Sequence, residues 1–341
     1  MKAKLLALCI ALMIVGCSPV EVGPAAKSSD AASPTLVTLF VANKFGNTLS
    51  KVDLATGVEV LQIDSCTNPH ELATSPDSQH VALACYGGTT VDIFVTDTLE
   101  KVRSIDLGEN ARPHGIVWHA NGDLYSTAEG RQSIFWIRDP LGDAKTFEYS
   151  SGKLGTHMLV VAPDARHAWT TDLRSKTVTR IDLRTRRAPM SVTLGGEEPE
   201  GIALSPDGAA LWVSARGSNE AYELDPDTMA VRTTLKTGAF PLRLAIRPQG
   251  DFAVTSDLMD GGLTVIDLAK REVVRKISVS SPEETEGRFQ VTTLWSNDGK
   301  RVYVAEAASD TVAEVDFSSG EVLRRLDVGD GGDGLAIMGA K

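Results

Sequence analysis

The sequence lacks the short motifs that usually betray a reaction. No Walker loop, GxSxG elbow, HExxH pair or CxxCH site occurs in its 341 residues. Nucleotide, serine-hydrolase, zincin and c-type haem readings therefore have no local support. Basic residues are scarce: 34 Lys and Arg stand against 45 Asp and Glu, a formal charge of −11, which argues against a phosphate-backbone partner. Only one apolar run is long, Leu5 to Val15, and its eleven residues are too few to cross a bilayer as a helix. Cysteine is rare, with four in the chain. What is present points to a folded protein: 42% hydrophobic and 23% charged residues exclude disorder and a polytopic membrane protein. The length suits two domains or one large repeat fold.

Lys2 and Lys4 followed by the apolar run have the form of a secretory signal. The run ends Ile14-Val15-Gly16-Cys17, which resembles the lipobox of bacterial lipoproteins. That resemblance implies a signal peptide over 1–16 and lipidation of Cys17 as the mature N-terminus. Several acyl chains on one residue give firmer anchoring than the marginal hold of a single chain. Loss of Lys2 and Lys4 moves the net charge from −11 to −13. Ser18 in place of Asp after the cysteine implies the outer membrane, facing the periplasm, in a Gram-negative source. The segment 17–35 is rich in Pro, Ala and Ser and has no apolar period, so it is expected to be a flexible tether.

From residue 36 the chain repeats itself. Short apolar runs ending in a Pro-Asp-Gly-like turn recur as ELATSPDS, GIVWHANG, MLVVAPDA, GIALSPDG, RLAIRPQG and TTLWSNDG, with a final GLAIMGA. The residues just before these runs are His70, His114, His157, Glu200, Leu242, Val291 and Asp333, spaced 44, 43, 43, 42, 49 and 42 apart. Each unit holds four strand-length runs, one ending in an apolar-Asp-Leu signature. Four short strands at such a period predict a β-propeller blade. The first unit, Leu39 to Asp64, has only three strands, and the lone run Leu335–Met338 supplies the fourth. The expectation is an all-β, seven-bladed propeller over 36–341 with four-stranded antiparallel blades, its terminal strands sharing one blade.

Pro199-Glu200-Gly201-Ile202-Ala203-Leu204-Ser205-Pro206-Asp207-Gly208 and Arg301-Val302-Tyr303-Val304 resemble the repeat of YVTN-type seven-bladed propellers of exported bacterial proteins. The resemblance covers nearly everything after residue 36 and implies the fold far more than an activity. The Asn that ends the second strand in that family survives only as Asn43, with Cys85, Ala128, Asp172, Ala215, Ser256 and Glu306 expected in its place. Members of the family have been associated with DNA. The acidic balance here makes nucleic acid an unlikely partner.

In such a blade the loops that lead into strand A and join B to C share one face of the disc, where variable loops build sites. His70, His114, His157, Glu200 and Asp333 occupy the start of strand A, and Glu129, Asp172, Arg216 and Glu306 belong to nearby B–C loops. The inserted loop adds Glu283, Glu284 and Glu286 over the same face. Three readings follow. His70, His114 and His157 could ligate a divalent metal with open positions. His and Glu could form an acid–base pair for a lyase or lactonase-like hydrolase. The plainer alternative is that these groups only hydrogen-bond neighbouring loops.

Cys9 leaves with the leader and Cys17 takes lipid, leaving Cys66 and Cys85. Antiparallel register brings Cys85 opposite the residues around 70, so a disulfide is expected in an oxidising compartment. Trp118, Trp169, Trp212 and Trp295 recur on strands and mark inter-blade core. The run Gly329 to Gly334 lacks the spacing and terminal Glu of an EF-hand loop. The sequence therefore predicts a lipid-anchored envelope propeller whose loop face binds a protein or small ligand, with an enzyme as the alternative.

Overall fold

The computed structural model describes residues 37–185 and 187–339; the leader and the whole tether, Cys17 included, lie outside the described residues. Seven four-stranded antiparallel sheets make up the domain. Blade 1 runs Pro69–Thr74, His80–Cys85, Thr90–Val95 and Lys101–Asp106 as strands A to D. Blades 2 to 6 repeat this order from the A strands Pro113–Trp118, Thr156–Val161, Pro199–Leu204, Pro241–Ile246 and Gln290–Trp295. Blade 7 takes its A strand from the chain's end, Gly332–Met338, and strands B to D from Thr38–Asn43, Thr48–Asp53 and Val58–Asp64. Leu39 pairs with Ile337 and Val41 with Leu335. Each A strand touches the next, blade 7 touching both 6 and 1, so the ring is closed. Closure removes the open edges that a curved stack of sheets would expose.

Burial follows the strand order. His80–Cys85 is buried along almost its whole length, whereas Val58–Asp64, an outer D strand, alternates between exposed and half-buried. The apolar core accordingly lies in wedges between sheets: Val91, Ile93 and Ile105 of blade 1 pack with Ile116, Trp118 and Leu124 of blade 2. The four recurring tryptophans are all buried. Two of them also stitch blades together, Trp169 Nε1 donating to Pro226 O at 3.1 Å and Trp295 Nε1 to Ala245 O at 3.0 Å.

The repeated sequence signatures have local causes. In the Ser-Pro-Asp turn, Ser75 Oγ donates to Asp77 Oδ1 (2.5 Å), which also accepts from Gln79 N at 3.0 Å. Ser205 and Asp207 repeat this arrangement. The aspartate of the apolar-Asp-Leu signature closes the C–D turn, as where Asp53 accepts from Ala55 N at 2.9 Å and Asp182 from Arg184 N at 2.9 Å. Such side-chain to backbone bonds make these turns short and regular.

In several blades the residue ending strand B ties the sheet through its side chain. Asn43 donates to Thr48 and Ser50 at 2.9 and 2.6 Å. Asp172 accepts from Thr156, Thr170, Thr177 and Thr179 at 2.6 to 3.1 Å. In blade 5 the position belongs to Asp257, opposite Pro241, and not to the expected Ser256. Cys85 uses the same place to form the expected disulfide with Cys66, Cα–Cα 5.7 Å. It pairs with Pro69, one residue from the anticipated partner.

Candidate functional site

One backbone device, used seven times, builds the channel mouth. The residue before each A strand has positive φ: Asn68 (50°), Arg112 (50°), Gly155 (73°), Glu198 (55°), Phe240 (60°), Phe289 (50°) and Gly331 (73°). For a residue with a Cβ this left-handed conformation costs about 1–2 kcal/mol. A ladder irregularity follows at once in every blade, between Pro69 and Leu72 in blade 1 and at the matching residues elsewhere. Bulged residues leave the ladder and are re-aimed. The bulge frees His70, His114, His157, Glu200, Leu242, Val291 and Asp333, all seven of which are buried and line one cavity of about 360 Å³.

The next residue decides how closely A strands approach. A Cβ on Gly334 would lie 1.9 Å from His70 O, and one on Gly201 would lie 2.4 Å from Leu244 N. Glycine is therefore required there. Blades 1 and 5 carry Glu71 and Arg243 instead, and the two meet across the channel, Arg243 Nη2 to Glu71 Oε1 at 2.8 Å. Arg243 Nη1 also donates to Glu200 Oε1, whose other oxygen faces Arg216 Nη1 at 2.9 Å.

The three histidines form a row. Ring centroids of His70 and His114 lie 4.4 Å apart and those of His114 and His157 3.7 Å apart, each pair tilted by 34°. His157 is held at both nitrogens, Nδ1 to Glu129 Oε2 at 3.2 Å and Nε2 to Glu200 Oε1 at 2.8 Å. His70 Nδ1 lies 3.2 Å from Asp333 Oδ2, which also pairs with Lys44 at 3.2 Å. His114 Nδ1 is buried with no hydrogen bond. Tyr86 sets its ring edge-on to His70 and His114 and donates its hydroxyl to Glu129 Oε2 at 3.2 Å.

These contacts push the row in opposite directions. Burial holds His114 well below the ordinary imidazole range, and the charges of His157 and His70 push the same way. For His157 burial also opposes the cation, but the carboxylates of Glu200 and Glu129 outweigh it and the pKa rises. His70 is lowered by burial, with Asp333 pulling against that shift. Glu200 falls to about 2: burial would raise it, but His157 and Arg243 prevail. A ring biased against protonation thus stacks on one biased toward it.

Of the residues expected at the mouth, His70, His114, His157, Glu200, Arg216 and Asp333 line the cavity, and Glu129 joins them through His157. Asp172 and Glu306 do not. Asp172 is enclosed by its four threonines, and Glu306 is buried against Thr311 (2.7 Å) and Arg325 (2.9 Å). Both side chains run in the plane of their sheets, where hydroxyl and guanidinium donors satisfy them. The histidines stack in a row, which does not aim their nitrogens at one point. Among the described residues the one set of three donor atoms within 4.8 Å of each other is Cys66, Cys85 and Asp92, and two of these share a disulfide. The expected metal set is therefore not assembled as a coordination shell. Sequence reading missed Arg243, Glu71, Lys44, Tyr86, Phe240 and Phe289. Arg243 carried a signal: a charge opens RLAIRPQG where three other runs open with glycine.

Fold and mouth together define a closed seven-bladed propeller with a polar, ligand-sized opening at one end of its channel. The chain belongs to the lactonase, 7-bladed beta-propeller family, whose sequence profile matches residues 56–272. It is also similar to antigen Lp49 of Leptospira interrogans, 24% identical over 206 residues, which are 53% of this chain and 44% of that protein. The chain thus spans less than half the length of that relative. A functionally unknown protein from Desulfotomaculum acetoxidans shares the fold with a TM-score of 0.73 and 13% identity, over 88% of this chain and 98% of the other. So does virginiamycin B lyase from Staphylococcus aureus, with a TM-score of 0.66 and 15% identity over 79% and 88% of the two chains. At such identities these likenesses concern the fold alone.

Proposed function

We propose that the channel mouth binds a small molecule, on a propeller of the YVTN type that its N-terminal lipid at Cys17 holds to the outer membrane, facing the periplasm. One observation carries the reading. Almost every charged group at the mouth has a partner, yet His114 Nδ1 is buried with no hydrogen bond. A buried polar group left unpaired costs about 1–3 kcal/mol. A ligand in the adjoining cavity of about 360 Å³ would supply the missing bond, and that volume lies at the small end of pockets for small molecules, roughly 300–1,000 Å³. It favours a small ligand over an envelope protein.

The opposed shifts of His114 and His157 favour catalysis as a second reading. A neutral base stacked on a cationic acid is the division of labour acid–base chemistry needs near neutral pH. The family name makes lactone opening the first reaction to assay.

The test is thermal-shift and calorimetric titration of a panel of small carboxylates, amides and lactones against the wild type and His114→Phe, which keeps a ring in the stack. A ligand at 100 times its Kd should stabilise the wild type by about 2.7 kcal/mol and the variant far less. Equal stabilisation of both would place the ligand elsewhere and refute the assignment. Lactone turnover that survives His114→Phe would remove the catalytic reading. Mass spectrometry of the mature N-terminus tests the anchor, which requires acylated Cys17.

A further inference from the structure

The mouth cavity has two unlike sides. Blades 7 and 1 to 4 present the histidines, Lys44 and the carboxylates, whereas blades 5 and 6 present Phe240, Leu242, Leu258, Phe289 and Val291, with Arg243 the one charged residue among them, tied to Glu71 and Glu200. Two of these apolar residues are unusual. Phe240 and Phe289 occupy the left-handed position of adjacent blades, at φ of 60° and 50°. A bulky residue rarely adopts that backbone, and where one does the strain points to a function. Phe289 is also 43% exposed, so burial in the protein core does not explain its retention.

The inserted loop exists to place that ring. Its one-turn helix, Thr285–Arg288, ends where Phe289 N donates to Thr285 O at 3.0 Å, and Phe289 O accepts from Ala307 N at 3.1 Å. None of the three glutamates expected over the mouth is among the residues lining the cavity, and Glu284 pairs with Arg288 at 3.0 Å within the loop. The Arg216 guanidinium lies 5.1 Å from the Phe240 ring and fixes that side of the wall.

Building on the small-molecule reading above, we propose that the ligand is an amphiphile. An oxygen head, carboxylate or neutral carbonyl, meets Lys44 and the His114 imidazole, whose Nδ1 is unpartnered, and an apolar body lies on the Phe240–Phe289 wall. Phe289 sets the preference for that body.

The experiment is calorimetric titration with straight-chain carboxylates from butanoate to octanoate and with the matching amides, using wild type, Phe289→Gly and His114→Phe. Wild-type affinity should rise about fourfold per added methylene, the factor that ~0.8 kcal/mol per buried CH₂ represents. Phe289→Gly should flatten that rise and cost octanoate at least tenfold, while melting at the same or a higher temperature because glycine is at ease at this φ. A structural role for Phe289 would lower the melting temperature instead. Binding of amide and carboxylate alike indicates a carbonyl head, and binding of carboxylate alone a charged one; both support the proposal. Equal wild-type affinity for short and long probes, an unchanged slope in Phe289→Gly, or no binding of any probe would overturn it. If octanoate binds His114→Phe with undiminished affinity, the mouth assignment itself is refuted.

Discussion

The clearest measurable consequence of the histidine row is a pH dependence with two limbs of opposite sign. Unfolded, His114 takes up a proton around its ordinary pKa of about 6.5. Folded, it stays neutral well below that value because it is buried between two other rings. The unfolded chain therefore binds more protons on the acid side, and stability falls as the pH drops below about 6.5. From pH 7.5 to pH 5.0, a ring kept neutral in the fold loses about 2 kcal/mol of stability by this route. His70 adds to the same limb, less strongly because Asp333 opposes its shift. His157 acts in reverse: its pKa is raised, so its contribution is whole below about 6.5 and fades as the pH climbs through the folded value. Urea unfolding of wild type and His114→Phe at both pH values isolates the middle ring, since other titrating groups are common to the pair. The variant should lose about 2 kcal/mol less than the wild type on acidification, with an unchanged denaturant slope. Equal losses would mean that His114 titrates normally in the fold, and the base–acid pairing with His157 would fall with it.

Other outcomes follow from single contacts. The mature protein should show no free thiol from Cys66 or Cys85, and replacing both by serine should cost about 3 kcal/mol by denaturant unfolding, given a separation of 19 residues. Burial raises Asp172 to about 6 although four threonines donate to it, so holding the charge at pH 7 costs about 3 kcal/mol. Asp172→Asn should therefore be near neutral or stabilising at pH 7, whereas Asp172→Ala, which strands the hydroxyls, should lower the melting temperature clearly. A chain stopped before Gly332 loses the inner strand of blade 7. It should unfold without a single cooperative transition and bind a hydrophobic dye; a sharp wild-type-like melt would contradict closure by that strand.

Blade number and closure were legible because they rest on chemistry that recurs from unit to unit. Pro-Asp-Gly-like turns and the apolar-Asp-Leu signature recur along the chain, and the three-stranded Leu39–Asp64 segment visibly needs a partner. The histidine row was legible because one residue type recurs at one position. Asp172 and Glu306 show where position alone fails. Each ends a B strand, one place before the position that Glu129 takes after its own, and hydroxyls at Thr177, Thr179 and Thr311 draw the two into the sheet. That preference depends on packing, which a period does not encode. Phe289 was hidden for a different reason: the insertion advertises three glutamates, while its function lies in one strained backbone angle.

The left-handed residues ahead of the A strands also bear on how such a protein changes over evolutionary time. Five of the seven wedges hang a side chain at the rim from this backbone kink, and the other two carry glycine there. Swapping Asn, Arg, Glu or Phe between those five pegs alters what the rim recognises and leaves the hydrogen-bonded ladders untouched. Tolerance for new cargo is in this way separated from the requirement to stay folded.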